Sequence, residues 1–129
     1  MTANPRIFRN AVFEPGSKFP RARLTDRNDD VLTQASFGAS VALKVYDLSS
    51  STPTTAVLDT TRTMTNVVSN SLLSWTIDSD GYNFSDTITS NEVAWEGGHT
   101  FRVCYLLTHT TEGLYPVVFE VRCEPLIGV

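Results

Sequence analysis

Two histidines, His99 and His109, are the side chains best suited to move a proton or hold a metal in this chain. They flank the stretch HTFRVCYLLTH, whose alternation reads as a strand. Ten extended residues span about 33 Å, so the two rings do not meet on one ion within a chain. The expectation is a pair of surface histidines at opposite strand ends. The alternative is a ring of His99 or His109 around an oligomer axis. DSDGYNFSD offers Asp78, Asp80, Asn83 and Asp86, oxygen donors of the kind calcium takes. An EF-hand loop has its glycine at the sixth position, whereas Gly81 is fourth from Asp78. Asx residues also build turns unaided, and a turn is what we expect there.

Nucleophilic chemistry finds no support. There is no G-x-S-x-G turn, no phosphate-cradling glycine loop, and no third group placed to orient either histidine. Nothing selects a pair of carboxylates for sugar hydrolysis. No catalytic residue, cofactor ligand or metal ligand is therefore assigned, and the chain is expected not to be an enzyme.

The elements that must position these residues are strands. Thr, Val, Ser and aromatics are abundant and Lys is scarce, which favours β structure. ASVALKVYDL alternates Val41, Leu43 and Val45 against polar neighbours, and AVLDTTRTMTNVV is Thr-rich, with Val57, Met64 and Val67 expected inward. HTFRVCYLLT and YPVVFEVRCEP form a late hairpin. Centred near Glu112, it sets Phe101 against Cys123, Val103 against Val121, Tyr105 against Phe119 and Leu107 against Val117. That register also opposes Arg102 to Arg122, so a two-residue shift is its competitor. Either way Cys104 faces out and Cys123 in, which argues against a disulfide and accords with a reducing compartment. Trp75 in LLSWTI is expected in the core, while Trp95, beside the glycine turn of WEGGH, is a possible interface residue together with His99. About seven short strands and no long amphipathic helix describe an antiparallel, immunoglobulin-like β-sandwich. The immunoglobulin Cys…Trp…Cys signature is absent.

Residues 24–129 are assigned to that sandwich and residues 1–23 to an extended basic arm. Through residue 27 the chain has six basic and two acidic residues, a charge of +4. Four basic and twelve acidic residues remain, so the rest carries −8 of the total −4. The arm, RIFRNAVFEPGSKFPRAR, mixes cations with large apolar side chains, and its prolines break any long regular element. Arg6, Ile7, Phe8, Arg9, Val12, Phe13, Lys18, Phe19 and Arg21 are its expected partner-binding residues. A body at −8 would be repelled by phosphates, so the expected partner is protein, without nucleic acid or membrane. No stretch approaches the roughly 20 apolar residues of a membrane span, and no signal-peptide layout is evident, so synthesis in a cytoplasm is expected.

The stretches ARLTDRNDDVL, ASVALKVYDL and GGHTFRVCYLLTHTTEGLYPVVFEVRCEP resemble the small β-sandwich structural proteins of tailed bacteriophage particles. These are the immunoglobulin-like domains of baseplate and tail proteins and the decoration, or cement, proteins of capsids. The resemblance covers most of residues 21–125 and lies in pattern, without an invariant motif. It implies a virion location and partners among major capsid protein or other virion subunits. It also implies a homo-oligomer, with a trimer favoured, and no cofactor. A tail, baseplate or head–tail connector place is the runner-up. From another class, a carbohydrate-binding module would use Trp95, Tyr82 and Tyr115 as stacking platforms.

Overall fold

The computed structural model describes residues 6–13 (backbone only), 20–26, 28–75, 79–111 and 113–124. Its strands are β1 (Arg6–Phe13), β2 (Arg21–Ala22), β3 (Ser40–Asp47), β4 (Ala56–Thr63), β5 (Val68–Leu73), β6 (Tyr82–Ser85), β7 (Thr100–His109) and β8 (Gly113–Glu124). A single helical turn, α1 (Met64–Val67), joins β4 to β5. One sheet has the order β1-β8-β7-β3-β4 and the other β2-β6-β5. The chain is thus an all-β sandwich, and β2 to β8 make up the expected seven strands. No helix among the described residues is long and apolar enough to cross a membrane.

Alternation fixes the inner face of the larger sheet. Val41, Leu43 and Val45 of β3 and Phe101, Val103, Tyr105 and Leu107 of β7 are buried together with Val117, Phe119, Val121 and Cys123 of β8. From the smaller sheet, Phe84 meets Tyr105 edge-on at 4.8 Å and stacks on Phe119 at 6.1 Å. Aromatic pairs at these distances add to the burial term. Ile88, Val93 and Trp95 close the core from the long connection between β6 and β7.

The β7–β8 hairpin takes the competing register. Phe101 lies opposite Val121, Val103 opposite Phe119 and Tyr105 opposite Val117. The two-residue shift keeps every inward residue inward and turns the Arg102–Arg122 clash into Arg102 opposite Glu120, with 3.7 Å between charged atoms. It also places Gly113, at φ 84°, directly after the turn, where positive φ is needed. Cys104 and Cys123 are free thiols, half-buried and buried respectively.

Three expectations need correction. In β4 the face is reversed: Val57 is half exposed, and Leu58 packs against the core. Met64 and Val67 are buried, but from α1, whose helical turn brings both to one side. The two tryptophans exchange places. Trp95 is buried edge-on to Phe101 at 4.9 Å, while Trp75 is half-buried and leans on Tyr82. Gly98, at φ 83°, makes the turn that follows Trp95, closed by the His99 N–H on the carbonyl of Glu96. Lastly, no boundary falls at residue 23. Pro20 and Ala22 are buried, Arg21–Ala22 is a strand of the smaller sheet, and Arg6–Phe13 is a strand of the larger one.

Candidate functional site

The leader is where the fold departs most from an independent arm. Residues Arg6 to Phe13 run parallel to β8, in register from Arg6 opposite Val117 to Phe13 opposite Glu124. Every other strand pairing is antiparallel. Of the expected partner-binding residues, Arg6, Ile7, Phe8, Arg9, Val12 and Phe13 therefore belong to a strand at the end of the sheet, with β8 as its one neighbour among the described residues. Lys18 and Phe19 lie outside the described residues. Arg21 sits in β2, exposed, with its guanidinium 5.0 Å from the centre of the Tyr82 ring. The physical reason for the departure is the β8 edge. Twelve residues of strand would otherwise present unpaired main-chain groups, and a strand of the same chain covers eight of them.

Beside β1, the outer face of the larger sheet changes character along its length. Near the hairpin tip the cross-strand row is Ala42, Leu106 and Pro116; the next is Lys44, Cys104 and Val118; the third is Tyr46, Arg102 and Glu120. Leu106 is 40% exposed and Leu114, two residues before Pro116, is 47% exposed. An apolar end thus grades into a charged one.

The aromatics of a sugar platform do not share a surface. Trp95 is in the core, the Tyr115 hydroxyl donates to the carbonyl of Thr25 at 2.8 Å, and Tyr82 is covered by Trp75 and Arg21. The oxygen donors of DSDGYNFSD also disperse. Asp80 faces Arg23 at 3.6 Å and Asp86 faces Arg62 at 3.0 Å, while Asp78 lies outside the described residues. Asn83 is buried, and its amide bonds the main chain of Leu24 and Leu32.

Two charged clusters emerge that sequence spacing did not reveal. In the first, Arg62 of β4 reaches Asp86 through Nε at 3.0 Å and Glu92 through Nη1 at 2.9 Å, and the buried Tyr105 hydroxyl donates to Asp86 at 2.7 Å. Burial pulls the Arg62 guanidinium toward losing its proton, but Glu92 and Asp86 outweigh it and hold the pKa above its ordinary value. The Arg62 hydrogen bond holds Glu92 below the usual carboxylate range. Burial, with Asp86 adding to it, pushes the Tyr105 phenol far up. This cluster joins β4, β7 and the β6–β7 connection, with one guanidinium shared between two carboxylates.

The second cluster lies at the far end of β3. His99 Nδ1 stands 2.7 Å from Oδ2 of Asp47, and His99 Nε2 stands 3.4 Å from Oε2 of Glu96. Asp47 is nearly buried and its other oxygen accepts the Ser49 N–H at 3.0 Å. The Asp47 hydrogen bond raises the His99 pKa, with both carboxylates adding to it. His99 is therefore not a bare surface histidine. His109, at the other strand end, lies edge-on to Phe37 at 5.7 Å and its Nδ1 accepts the Thr111 N–H. The one sequence signal for the second cluster was Glu96, three residues before His99. Asp47, 52 residues away, had none.

Comparison with known proteins adds nothing to this geometry: no family model, no curated protein and no solved structure matches the chain.

Proposed function

We propose that this chain is a non-enzymatic structural protein of a tailed bacteriophage particle, a capsid decoration or cement protein that holds major capsid subunits. The observation that carries the reading is the placement of the basic leader as the end strand of a sheet whose body is acidic. An end strand keeps one edge of main-chain donors and acceptors for a neighbouring polypeptide, the mode of binding called strand addition. Arg6 and Arg9 belong to a leader whose net charge is opposite to the −8 carried beyond residue 27, so neighbouring acidic protein is favoured over nucleic acid. Leu106 and Leu114 on the adjoining face supply apolar area, worth about 25 cal/mol for each Å² covered. Each such contact is modest, and repetition in a lattice multiplies it. A homo-oligomer, with a trimer favoured, suits that repetition. In this reading attachment is made by an end strand rather than by a free arm.

The test compares the whole chain with a variant lacking residues 1–13 on purified particles stripped of the native protein. Loss of particle binding, with the circular dichroism of the sandwich retained, is the expected result. Undiminished loading of a folded variant refutes attachment through the leader. Copy number then places the protein: hundreds per particle fit capsid decoration, whereas low tens fit a tail, baseplate or connector role.

A further inference from the structure

We propose that Glu96 and His99 form a binding site for a divalent transition metal of the Zn2+ class, with Asp47 orienting the imidazole. Proton bookkeeping supplies the first reason. Asp47 is an acceptor 2.7 Å from Nδ1, so Nδ1 carries a hydrogen. In the neutral ring the lone pair of Nε2 then points toward the Glu96 carboxylate, 3.4 Å away, and two acceptors face one another. A positive centre between them satisfies both acceptors, and a metal ion is such a centre.

Distance supplies the second reason. Zn–N and Zn–O bonds of about 2.0–2.1 Å at a tetrahedral angle hold their donor atoms about 3.4 Å apart. That is the separation found between Nε2 and Oε2. The Asp47–His99 contact is also the carboxylate–histidine arrangement that fixes tautomer and ring orientation in metal sites. The donor atoms of all three residues lie within 4.8 Å of one another.

The third reason is the rigidity of the loop that carries both ligands. Gly98, at φ 83°, donates to the carbonyl of Cys123 at 2.6 Å, and Cys123 N–H donates to the carbonyl of His99 at 2.9 Å. His99 N–H closes the turn on the carbonyl of Glu96 at 3.1 Å, and the imidazole leans on Phe101. Imidazole and carboxylate donors suit zinc better than the all-oxygen shells of magnesium or calcium. Two protein ligands leave two tetrahedral positions for water or for donors of a neighbouring molecule.

The experiment is a calorimetric titration of ZnCl2 into the metal-stripped full chain just above neutral pH, repeated with Co2+ for its visible absorption. The expected result is saturable binding at one site, with a cobalt spectrum of low coordination number. Binding is abolished in His99→Gln. Glu96→Gln, at a side chain two-thirds exposed and so harmless to folding, lowers affinity at least tenfold. Asp47→Asn lowers it by about 10–100-fold, as loss of an orienting carboxylate does. Repeating the titration below the His99 pKa releases a proton into buffer, since the metal displaces it from Nε2. Absence of saturable binding at millimolar Zn2+, or parental affinity in either His99→Gln or Glu96→Gln, overturns the proposal. None of these outcomes depends on particle attachment.

Discussion

The two charged clusters share one plan, a cation between two carboxylates, and differ in which cation they use. Arg62 carries a guanidinium that does not titrate in the biological range, forked to bond Asp86 and Glu92 together. His99 stands between Asp47 and Glu96 with a charge that it loses as pH rises, later than an ordinary imidazole does. Their settings match those differences. The Arg62 cluster ties the β6–β7 connection to β4 and β7 beside the fully buried Tyr105 ring, and Asp86 is satisfied from two directions. The His99 cluster is open on the Glu96 side, where the carboxylate is mostly exposed. A fixed cation with satisfied partners makes a joint, whereas a titrating cation with one open flank makes a place where another species can enter.

Removing the fixed cation is the harshest way to break this contrast. Arg62→Met leaves the nearly buried Asp86 and its neighbour Glu92 without their counter-charge. Losing one partner of such a pair costs about 3–5 kcal/mol, and since Arg62 is partly hydrated we expect a loss toward the lower end in urea unfolding at neutral pH. A loss indistinguishable from zero would mean that the cluster does not hold the β6–β7 connection to the larger sheet.

Acid and alkali then separate the clusters. The folded pKa of Glu92 is depressed, so its contribution is present above the ordinary carboxylate value and lost as pH falls through the folded one. The folded pKa of His99 is raised, so its contribution is full below the ordinary imidazole value, 6.5, and lost as pH rises through the folded one. In chelator-treated buffer, melting temperature should fall on both sides of a mildly acidic maximum. His99→Gln should flatten the neutral-side decline alone, and Arg62→Met the acid-side decline alone. A neutral-side decline that survives His99→Gln would assign it to another group.

The smallest effect belongs to the half-buried pair that accompanies the hairpin register. Glu120→Lys replaces the Arg102 partner with a like charge, and a pair 3.7 Å apart near the surface is worth about 0.2–1 kcal/mol. Cross-strand proximities measured by NMR should keep Val103 opposite Phe119, because the inner residues and the turn at Gly113 still favour that alignment.

What could be read from the sequence follows from which interactions are local. β3, β7 and β8 are legible because one face of each is core, so alternation reports it directly. Both hairpin registers preserved that alternation, and the choice turned on Arg102 meeting Glu120 instead of Arg122, a pairwise interaction that periodicity ignores. β4 misled because its threonines suit either face and left Val57 and Leu58 as equivalent guesses. The leader was illegible for a different reason. Parallel pairing between residue 6 and residue 117 leaves no mark in the neighbourhood of either. Trp95 was misplaced by its glycines, which mark a turn but not the side of the chain that faces water. At the candidate metal site, His99 was conspicuous and Glu96 was near it. Asp47 came from the paired strand β3, 52 residues away in sequence and beyond any spacing rule.

Asn83 has a mechanical consequence. Its side-chain amide accepts the Leu24 N–H at 2.6 Å and donates to the carbonyls of Leu24 and Leu32, so a buried side chain stands in for a stretch of backbone. Tension applied to the leader would reach Asn83 through its two bonds to Leu24, both loaded together, whereas the pairs along an end strand can open one by one. Under pull, then, the first segment should peel away while the body behind Leu24 keeps its shape, as a tether with a firm root.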